Sequence, residues 1–288
     1  MTYLRIVLQL FLAVTFLFSA YTKAIAPGFF EVLLEQQGMV PNRMYGAWAT
    51  RLIIALETWL GICLMVSFYV RFVLRFSFAL LIVFSIQLIY LMIIGETGNC
   101  GCFGEMIRMS PLESLGKNVI LLGVNGFLLY HEGQSIKKPW FTWGLFPLLF
   151  VTTIFVLPTQ TEPSEVVKKF PTFGQASGID FSQGEYLVAI LNLSCEHCQE
   201  AAQALAELQS KGAKLPQVVA LFFEEGDTTV TQFNTITNSN FPYEMIDMNT
   251  FFDVIGSAPP RIYRIEDGVV KQFWDKTIDD NFLAIFAP

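Results

Sequence analysis

A long apolar run and the short motif behind it determine how this chain is organised. Residues 72–95 read FVLRFSFALLIVFSIQLIYLMIIG, and residues 99–104 read NCGCFG. An apolar stretch of about 20 residues is long enough to cross the hydrocarbon layer of a membrane as a helix. The sequence therefore predicts a membrane span that brings Cys100 and Cys102 to one face of the bilayer.

Further apolar runs surround this one, and the composition of the chain agrees with them. They cover residues 4–26, 46–68, 113–132 and 139–158. Of the 288 residues, 53% are hydrophobic and only 15% are charged, which is too apolar for an ordinary soluble protein. Together with residues 72–95, these runs predict five membrane-spanning helices.

The first apolar run admits one alternative, a cleaved signal peptide. Arg5 precedes the run, and the small residues Ser19 and Ala20 follow within it. The run continues past Ile25 without a clear small-x-small cleavage site, and four more spans come after it. These features favour a membrane helix.

A change in composition after Pro158 marks the start of a soluble portion. Residues 159–172 carry prolines and charges and are predicted to form an exposed linker, and residues 173–288 a soluble α/β domain. Its predicted elements are strands at 186–193, 217–223, 261–265 and 269–274 and a helix at 195–211. The formal net charge of -7 arises mostly here, so the charge gives no support to nucleic-acid binding.

A second cysteine pair, Cys195-Glu-His-Cys198, lies where a predicted strand runs into a helix. Unpaired N–H groups at a helix N-terminus stabilise a thiolate and lower its pKa. Cys195 is therefore the expected nucleophile, Cys198 the resolving thiol, and a protonated His197 an additional stabiliser. The alternatives are half of a zinc site or a structural disulfide, although the domain has no second Cys-x-x-Cys or histidine cluster to complete a zinc site.

The soluble domain resembles the thioredoxin superfamily over about residues 184–274. The resemblance rests on the strand, the Cys-x-x-Cys turn into a helix, and Ser257-Ala258-Pro259 ahead of another strand. It implies that the proline corresponding to Pro259 is cis and packs beside the cysteines. Because Pro260 follows directly, the sequence leaves open which proline is cis.

The membrane part resembles the DoxX family, and more closely its MauE-like branch. Three stretches carry this resemblance: FSAYTK at 18–23, Glu57 followed by Leu60-Gly61, and NCGCFG at 99–104. The resemblance implies a four-helix membrane bundle over residues 1–132, to which residues 133–158 add a fifth transmembrane helix. It also implies a role in disulfide chemistry of exported proteins, as in the maturation of methylamine dehydrogenase. Methylamine itself is not carried over as a substrate.

The spacing of Cys100 and Cys102 suggests a reactive pair. A disulfide across one residue closes a tight ring, and a strained disulfide is easy to reduce, so it would serve as an oxidant. Gly101 and Gly104 permit the tight backbone that such a loop needs. A permanently reduced pair, a metal-binding pair and a static loop clip are the alternatives.

Five spans would place the Cys100 loop and the soluble domain on the same side of the membrane. Basic residues divide evenly between the two sides, so the orientation rests on redox chemistry, because disulfides persist outside the cytoplasm. We expect a bacterial plasma-membrane protein with a cytoplasmic N-terminus and a periplasmic thioredoxin-like domain. Cys63 is predicted to be a buried small hydrophobe, so the bundle lacks a second pair of its own to carry electrons across.

Polar residues within the spans are further candidates. Glu57 could relay protons or line a quinone pocket, or it could form an interhelical clamp with Arg51 or Lys23. Gln87 and Asn118 are predicted to form hydrogen bonds between helices.

Together these features predict a membrane thiol–disulfide oxidoreductase that acts on exported client proteins. The Cys195 and Cys198 pair would exchange with clients, and the Cys100 and Cys102 pair would relay electrons, with quinone as the candidate acceptor. No covalently bound cofactor, metal site or nucleic-acid partner is expected. The alternative is a membrane-tethered assembly factor whose cysteines are structural, and metal handling by the loop pair is a third, less favoured interpretation.

Overall fold

The structure is a computed structural model that describes residues 2–67, 70–95, 98–104, 106–131, 139–157, 179–224, 226–256, 259–275, 282 and 285–286. The chain divides into two compact units, Met1–Thr159 and Gln160–Pro288. The predicted linker at 159–172 lies outside the described residues.

The N-terminal unit consists of helices. They are α1 (Thr2–Ile25), α2 (Pro27–Gln36), α3 (Arg43–Met65), α4 (Val70–Ile93), α5 (Pro111–Tyr130) and α6 (Pro139–Val156). Among the described residues, α1, α3, α4 and α5 are long and apolar enough to cross a membrane. The four-helix membrane bundle is thus confirmed, and the unit is a multi-pass membrane bundle. The short helix α2 was not predicted.

Close packing of α1 against α3 forms the centre of the bundle. A Cβ atom at Gly61 would lie 2.5 Å from Cγ of Leu17, so the helices approach closely only because this position lacks a side chain. Leu12, Ala13 and Leu60 are fully buried in the same apolar core. Close van der Waals contact of this kind is what associates helices inside a membrane.

Helix α6 runs antiparallel to α3. Phe146 packs on Trp59 with 6.2 Å between ring centroids, and further along the pair, Nη2 of Arg51 donates to the carbonyl of Leu157 at 3.4 Å. The apolar stretch Trp143–Val156 of α6 is shorter than the four long helices. The fifth crossing therefore stays a prediction.

The two interhelical amides behave differently from each other. Nδ2 of Asn118 on α5 donates to Oγ of Ser85 on α4 at 3.4 Å, as predicted. Nε2 of Gln87 is shielded from solvent and makes no hydrogen bond within the part of the chain that the structure describes. Among the described residues, Nε2 therefore contributes nothing to the interhelical hydrogen bond predicted for Gln87.

The C-terminal unit contains a five-stranded mixed sheet. Its strands are β1 (Glu185–Asn192), β2 (Gln217–Phe223), β3 (Tyr243–Met245), β4 (Arg261–Glu266) and β5 (Val269–Asp275), and its helices are α7 (Glu196–Ser210), α8 (Val230–Thr237) and α9 (Met248–Val254). The strand order is β3-β2-β1-β4-β5, with β1, β2 and β3 parallel and β4 antiparallel to both β1 and β5.

This sheet confirms a thioredoxin-like α/β domain, and it explains why the longer elements were predictable. Residues 187–192 of β1 and 218–223 of β2 are all buried, so continuous apolar runs mark these central strands. Helix α7 ends before Gly212, which has a left-handed φ of 80°. The short elements β3, α8 and α9 lack such signals and were not predicted.

Candidate active site with two cysteine pairs

The loop that carries Cys100 and Cys102 folds into the end of the helix bundle. The carbonyl oxygen of Cys102 accepts hydrogen bonds from Nζ of Lys23 and from Oγ of Ser19, both at 2.9 Å. Ser19 lies more than one helical turn before the end of α1. Cys100 is only 8% exposed. The pair therefore lies within the end of the bundle at which α1 stops.

Glycines and an asparagine give the loop its shape. Gly101 and Gly104 have φ values of 72° and 56°, which other residues rarely adopt. A Cβ atom at Gly104 would lie 2.9 Å from the carbonyl oxygen of Thr22. Asn99 closes the loop, since its Oδ1 accepts from the N–H of Gly101 at 3.0 Å and its Nδ2 donates to the carbonyl of Gly104 at 3.1 Å.

The two loop cysteines differ in acidity. A hydrogen bond from the Cys100 thiol, reinforced by the nearby charges of Lys117 and Lys23, lowers the pKa of Cys102 to about 5. The same hydrogen bond and burial raise the pKa of Cys100, whose Sγ lies 2.8 Å from Oγ of Ser114. At neutral pH the reduced pair therefore consists of a Cys102 thiolate and a Cys100 thiol.

A buried network of polar side chains on α1 and α3 contacts this loop from inside the bundle. Nζ of Lys23 lies 3.1 Å from both carboxylate oxygens of Glu57 and 2.6 Å from Oγ of Ser19. Oγ of Ser19 also lies 3.0 Å from Oε1 of Glu57. The carboxylate, the ammonium and the loop carbonyl thus form one connected group that joins α1, α3 and the cysteine loop.

Arg51 belongs to a different ion cluster from Glu57. Its Nη1 lies 3.7 Å from Oε1 of Glu31 on α2, and Nε of Arg43 lies 3.1 Å from Oε2 of the same carboxylate. Of the two clamps predicted for Glu57, the structure forms the one with Lys23. The prediction missed Glu31 because α2 was not recognised as a helix that packs on α3.

A cavity of about 120 Å³ opens beside the loop pair. Its lining is mostly apolar and comes from α1 to α5 and the cysteine loop. The polar and sulfur-bearing residues at its wall include Lys23, Glu57, Gln87, Cys100, Cys102 and Lys117. Lys117 lies over the ring of Phe103, with 4.2 Å from Nζ to the ring centroid, and Phe103 also lines the cavity.

The second pair lies at the N-terminus of α7, as the sequence predicted. Cys195 is the N-cap residue with an extended backbone, and its carbonyl accepts from the N–H groups of Cys198 and Gln199 at 3.1 Å. Cys198 is fully buried, and its Sγ accepts from the N–H of Asn192 at 3.4 Å. Cys195 is only partly buried, which suits the thiol that meets a partner protein.

The second pair shows the same asymmetry as the first. A hydrogen bond from the Cys198 thiol, the backbone N–H of Cys198 and the charge of His197 lower the pKa of Cys195 to about 7. Burial raises the pKa of Cys198. His197 is exposed and its Nδ1 lies 3.2 Å from Oε2 of Glu200, a hydrogen bond that raises the histidine pKa. A nucleophilic Cys195 and a resolving Cys198 would require these directions, and the two roles stay a prediction.

The cis peptide bond joins Pro259 to Pro260. Of the two prolines that the sequence left open, Pro260 is therefore cis. Pro259 supplies the carbonyl group of that bond. The bond comes immediately before β4, where Arg261 pairs with Ile190. It thus lies at the end of the sheet where β1 leads into the cysteine turn.

Cys63 lies near the end of α3, fully buried in the apolar core of the bundle. The residues that prediction missed around the loop pair are Ser19, Ser114 and Lys117. Ser19 precedes Lys23 by four residues on α1, so helical spacing alone would have placed their side chains together. Nothing in the local sequence indicates that Ser114 and Lys117 approach the loop, because α5 must first fold back on α4.

Comparison with known proteins agrees with this architecture. Residues 1–131 match the family described as Methylamine utilisation protein MauE. The chain is also 23% identical to Protein TlpB of Flavobacterium psychrophilum over an alignment of 348 positions, which covers 99% of this chain and 94% of that protein. No solved structure matches the chain. Residues 1–131 of this chain are thus similar to the MauE family, and a thioredoxin-like domain follows them.

Proposed function

We propose that this protein is a membrane thiol–disulfide oxidoreductase that oxidises exported proteins. The observation that carries the proposal is the shared asymmetry of the two cysteine pairs. Each pair combines one acidic thiol, Cys102 or Cys195, with one buried neighbour that keeps its proton. Thiol–disulfide exchange needs such a division, because a thiolate attacks and a second thiol resolves the mixed disulfide.

The reaction would proceed by two successive exchanges. A client thiolate attacks the Cys195–Cys198 disulfide at Cys195, and Cys198 leaves as the thiol. A second client thiolate then releases Cys195, which leaves the client oxidised and the pair reduced. The Cys195 thiolate next attacks the Cys100–Cys102 disulfide, and Cys198 resolves that mixed disulfide, so that two electrons pass to the loop pair.

Several features support a location of both pairs on the same side of the membrane. Helix α6 runs antiparallel to α3 over the stretch from Phe146 to Leu157, as a fifth membrane helix would. With five crossings the soluble domain emerges on the side of the cysteine loop. The full-length similarity to Protein TlpB supports the joining of both domains in one functional chain. We place both pairs outside the cytoplasm, because disulfides persist there.

The proposal is tested by trapping mixed disulfides in living cells. In Cys198→Ser, Cys195 can attack a disulfide but the resolving thiol is missing, so adducts with clients and with Cys100 or Cys102 should accumulate. Acid quenching, thiol blocking and mass spectrometry of the purified chain identify the linked peptides. Cys63→Ser is the matched control and should show the redox states of the native chain.

The opposite outcome would favour the assembly factor. If both cysteine pairs keep one redox state in cells throughout growth, and Cys198→Ser traps no partner, then the cysteines do not exchange. A partner-binding role for the thioredoxin-like domain would then replace the oxidoreductase.

A further inference from the structure

We infer that the cavity beside Cys100 and Cys102 binds the ring of a lipid-soluble quinone, which takes the electrons of the loop pair. This inference rests on the proposed function and adds the terminal acceptor and its binding site. Three features of the cavity carry it: its size and apolar wall, an unused hydrogen-bond donor, and the placement of the thiolate beside two cations.

The size and wall of the cavity suit a single ring. Its volume is about 120 Å³, of the same order as an engineered apolar cavity of about 150 Å³ that binds benzene. Phe16, Leu81 and Leu121 contribute apolar surface from three different helices. The cavity lies among helices that are long and apolar enough to cross the membrane, and a lipid-soluble ligand partitions into this region.

Gln87 supplies the polar contact that such a ring needs. Gln87 lines the cavity, and its Nε2 is shielded from solvent and makes no hydrogen bond to any residue that the structure describes. A rotation of the side chain would present this donor to a ligand in the cavity. Leaving a buried donor without a partner costs about 1–3 kcal/mol. A quinone carbonyl is an acceptor without a charge, so it satisfies the amide and remains soluble in the membrane.

The charged residues of the cavity suit the chemistry of quinone reduction. Cys102, which holds the thiolate, lines the cavity together with Lys23 and Lys117. Negative charge develops on the quinone oxygens as electrons arrive, and an ammonium group nearby stabilises that charge. A saturated lipid chain gains nothing from these groups, which is why the observations favour a quinone as occupant.

The electron transfer balances with the groups present. The Cys102 thiolate and the Cys100 thiol form an S–S bond, and the S–H bond of Cys100 breaks. The pair releases two electrons and one proton. The quinone accepts both electrons, that proton and a second proton from water, and it leaves as the quinol. The loop disulfide is then ready to oxidise Cys195 again.

The test uses the full chain in lipid nanodiscs, with dithiothreitol as reductant and short-chain menaquinone and ubiquinone as acceptors. Reduction of the quinone is followed by its absorbance. The native chain should catalyse the reaction with at least one of the two acceptors, and Cys100→Ser and Cys102→Ser should abolish it. Gln87→Leu should raise the KM for the quinone about three- to tenfold, as expected for one lost hydrogen bond, with kcat within about twofold.

Two further variants separate hydrogen bonding from packing. Gln87→Met keeps the approximate size of the side chain but removes the amide donor, so it should raise KM as Gln87→Leu does. Gln203→Leu changes a glutamine on the exposed face of α7 and should leave KM unchanged. If both Gln87 variants bind the quinones as the native chain does, the cavity is not the quinone site and the inference is wrong.

A chemical oxidant separates this inference from the proposed function. If diamide regenerates the loop disulfide and sustains oxidation of Cys195 and Cys198 while neither quinone does so, the quinone inference fails and the thiol relay stands. If neither oxidant lets the two pairs exchange, the proposed function itself fails.

Discussion

The ammonium group of Lys23 donates to the carbonyl oxygen of Cys102 at 2.9 Å, which fixes the loop cysteines to α1. The same nitrogen lies 3.1 Å from both oxygens of Glu57 on α3. One buried cation therefore ties two membrane helices to the reactive loop. The loop pair is held by the bundle, and its chemistry depends on charges within the bundle.

Removal of this cation should destabilise the bundle. In Lys23→Met the carboxylate of Glu57 stays buried without its counter-ion, and the free energy of unfolding should fall by about 3–5 kcal/mol. Unfolding of the purified chain in detergent, followed by circular dichroism, measures the change. The double variant Lys23→Met, Glu57→Gln should recover part of the loss. A single variant as stable as the native chain would contradict a buried ion pair.

The two acidic thiols should react in different pH ranges. Only the thiolate is alkylated, and the pKa is about 5 for Cys102 and about 7 for Cys195. In the reduced chain the iodoacetamide reaction of Cys102 should hold its rate from pH 8 down to about pH 6 and slow only through pH 5. The rate at Cys195 should already fall through pH 7. Quantitative mass spectrometry of the two peptides measures both curves, and identical midpoints would contradict the asymmetry.

Lys117 should contribute to the acidity of Cys102. Its charge is a cause of the lowered pKa, and a nearby opposite charge shifts a pKa by about one unit or more. Lys117→Leu should therefore raise the midpoint of Cys102 alkylation by about one pH unit, whereas Lys117→Arg should keep most of the effect. An unchanged midpoint in Lys117→Leu would show that Lys117 does not contribute, and would leave the hydrogen bond from Cys100 and the charge of Lys23 as causes of the acidity.

Gly104 should tolerate no side chain. Its φ is 56°, and an added Cβ would meet the carbonyl of Thr22 at 2.9 Å. Gly104→Ala should cost about 1–2 kcal/mol from the backbone conformation alone and should slow reduction of quinone by displacing the loop. Gly116 on α5 has open space around it, so Gly116→Ala should be neutral or slightly stabilising. Equal effects of the two substitutions would contradict the loop geometry.

The parts that could be predicted from the sequence are those fixed by local patterns. The long apolar runs predicted α1, α3, α4 and α5, because a membrane helix needs such a run wherever it occurs. The first and last residues of the buried strands β1 and β2 were predicted to within one position, since both faces of these strands are apolar. The place of Cys195 and Cys198 at a helix N-terminus was also predicted, and their roles stay a prediction.

The parts that could not be predicted depend on tertiary contacts. Glu57 had two basic candidates at suitable depth, and the position of Glu31 on α2 decides that Arg51 lies beside another carboxylate. Gln87 was expected to bond to a neighbouring helix, yet the cavity leaves its amide nitrogen unpaired within the described residues. The depth of the loop pair follows from its contacts with Ser19 and Lys23, which no local pattern contains.

Exchange between the two cysteine pairs requires that both pairs face one aqueous compartment. Met106 in the cysteine loop and Ile236 on α8 are each 57% exposed, and Met106→Cys and Ile236→Cys, each in a chain without other cysteines, report the two locations. In intact cells whose outer barrier is permeable, a membrane-impermeant maleimide should label both variants equally before and after the plasma membrane is opened. Labelling of only one variant before opening would place the pairs on opposite sides of the membrane and contradict the account.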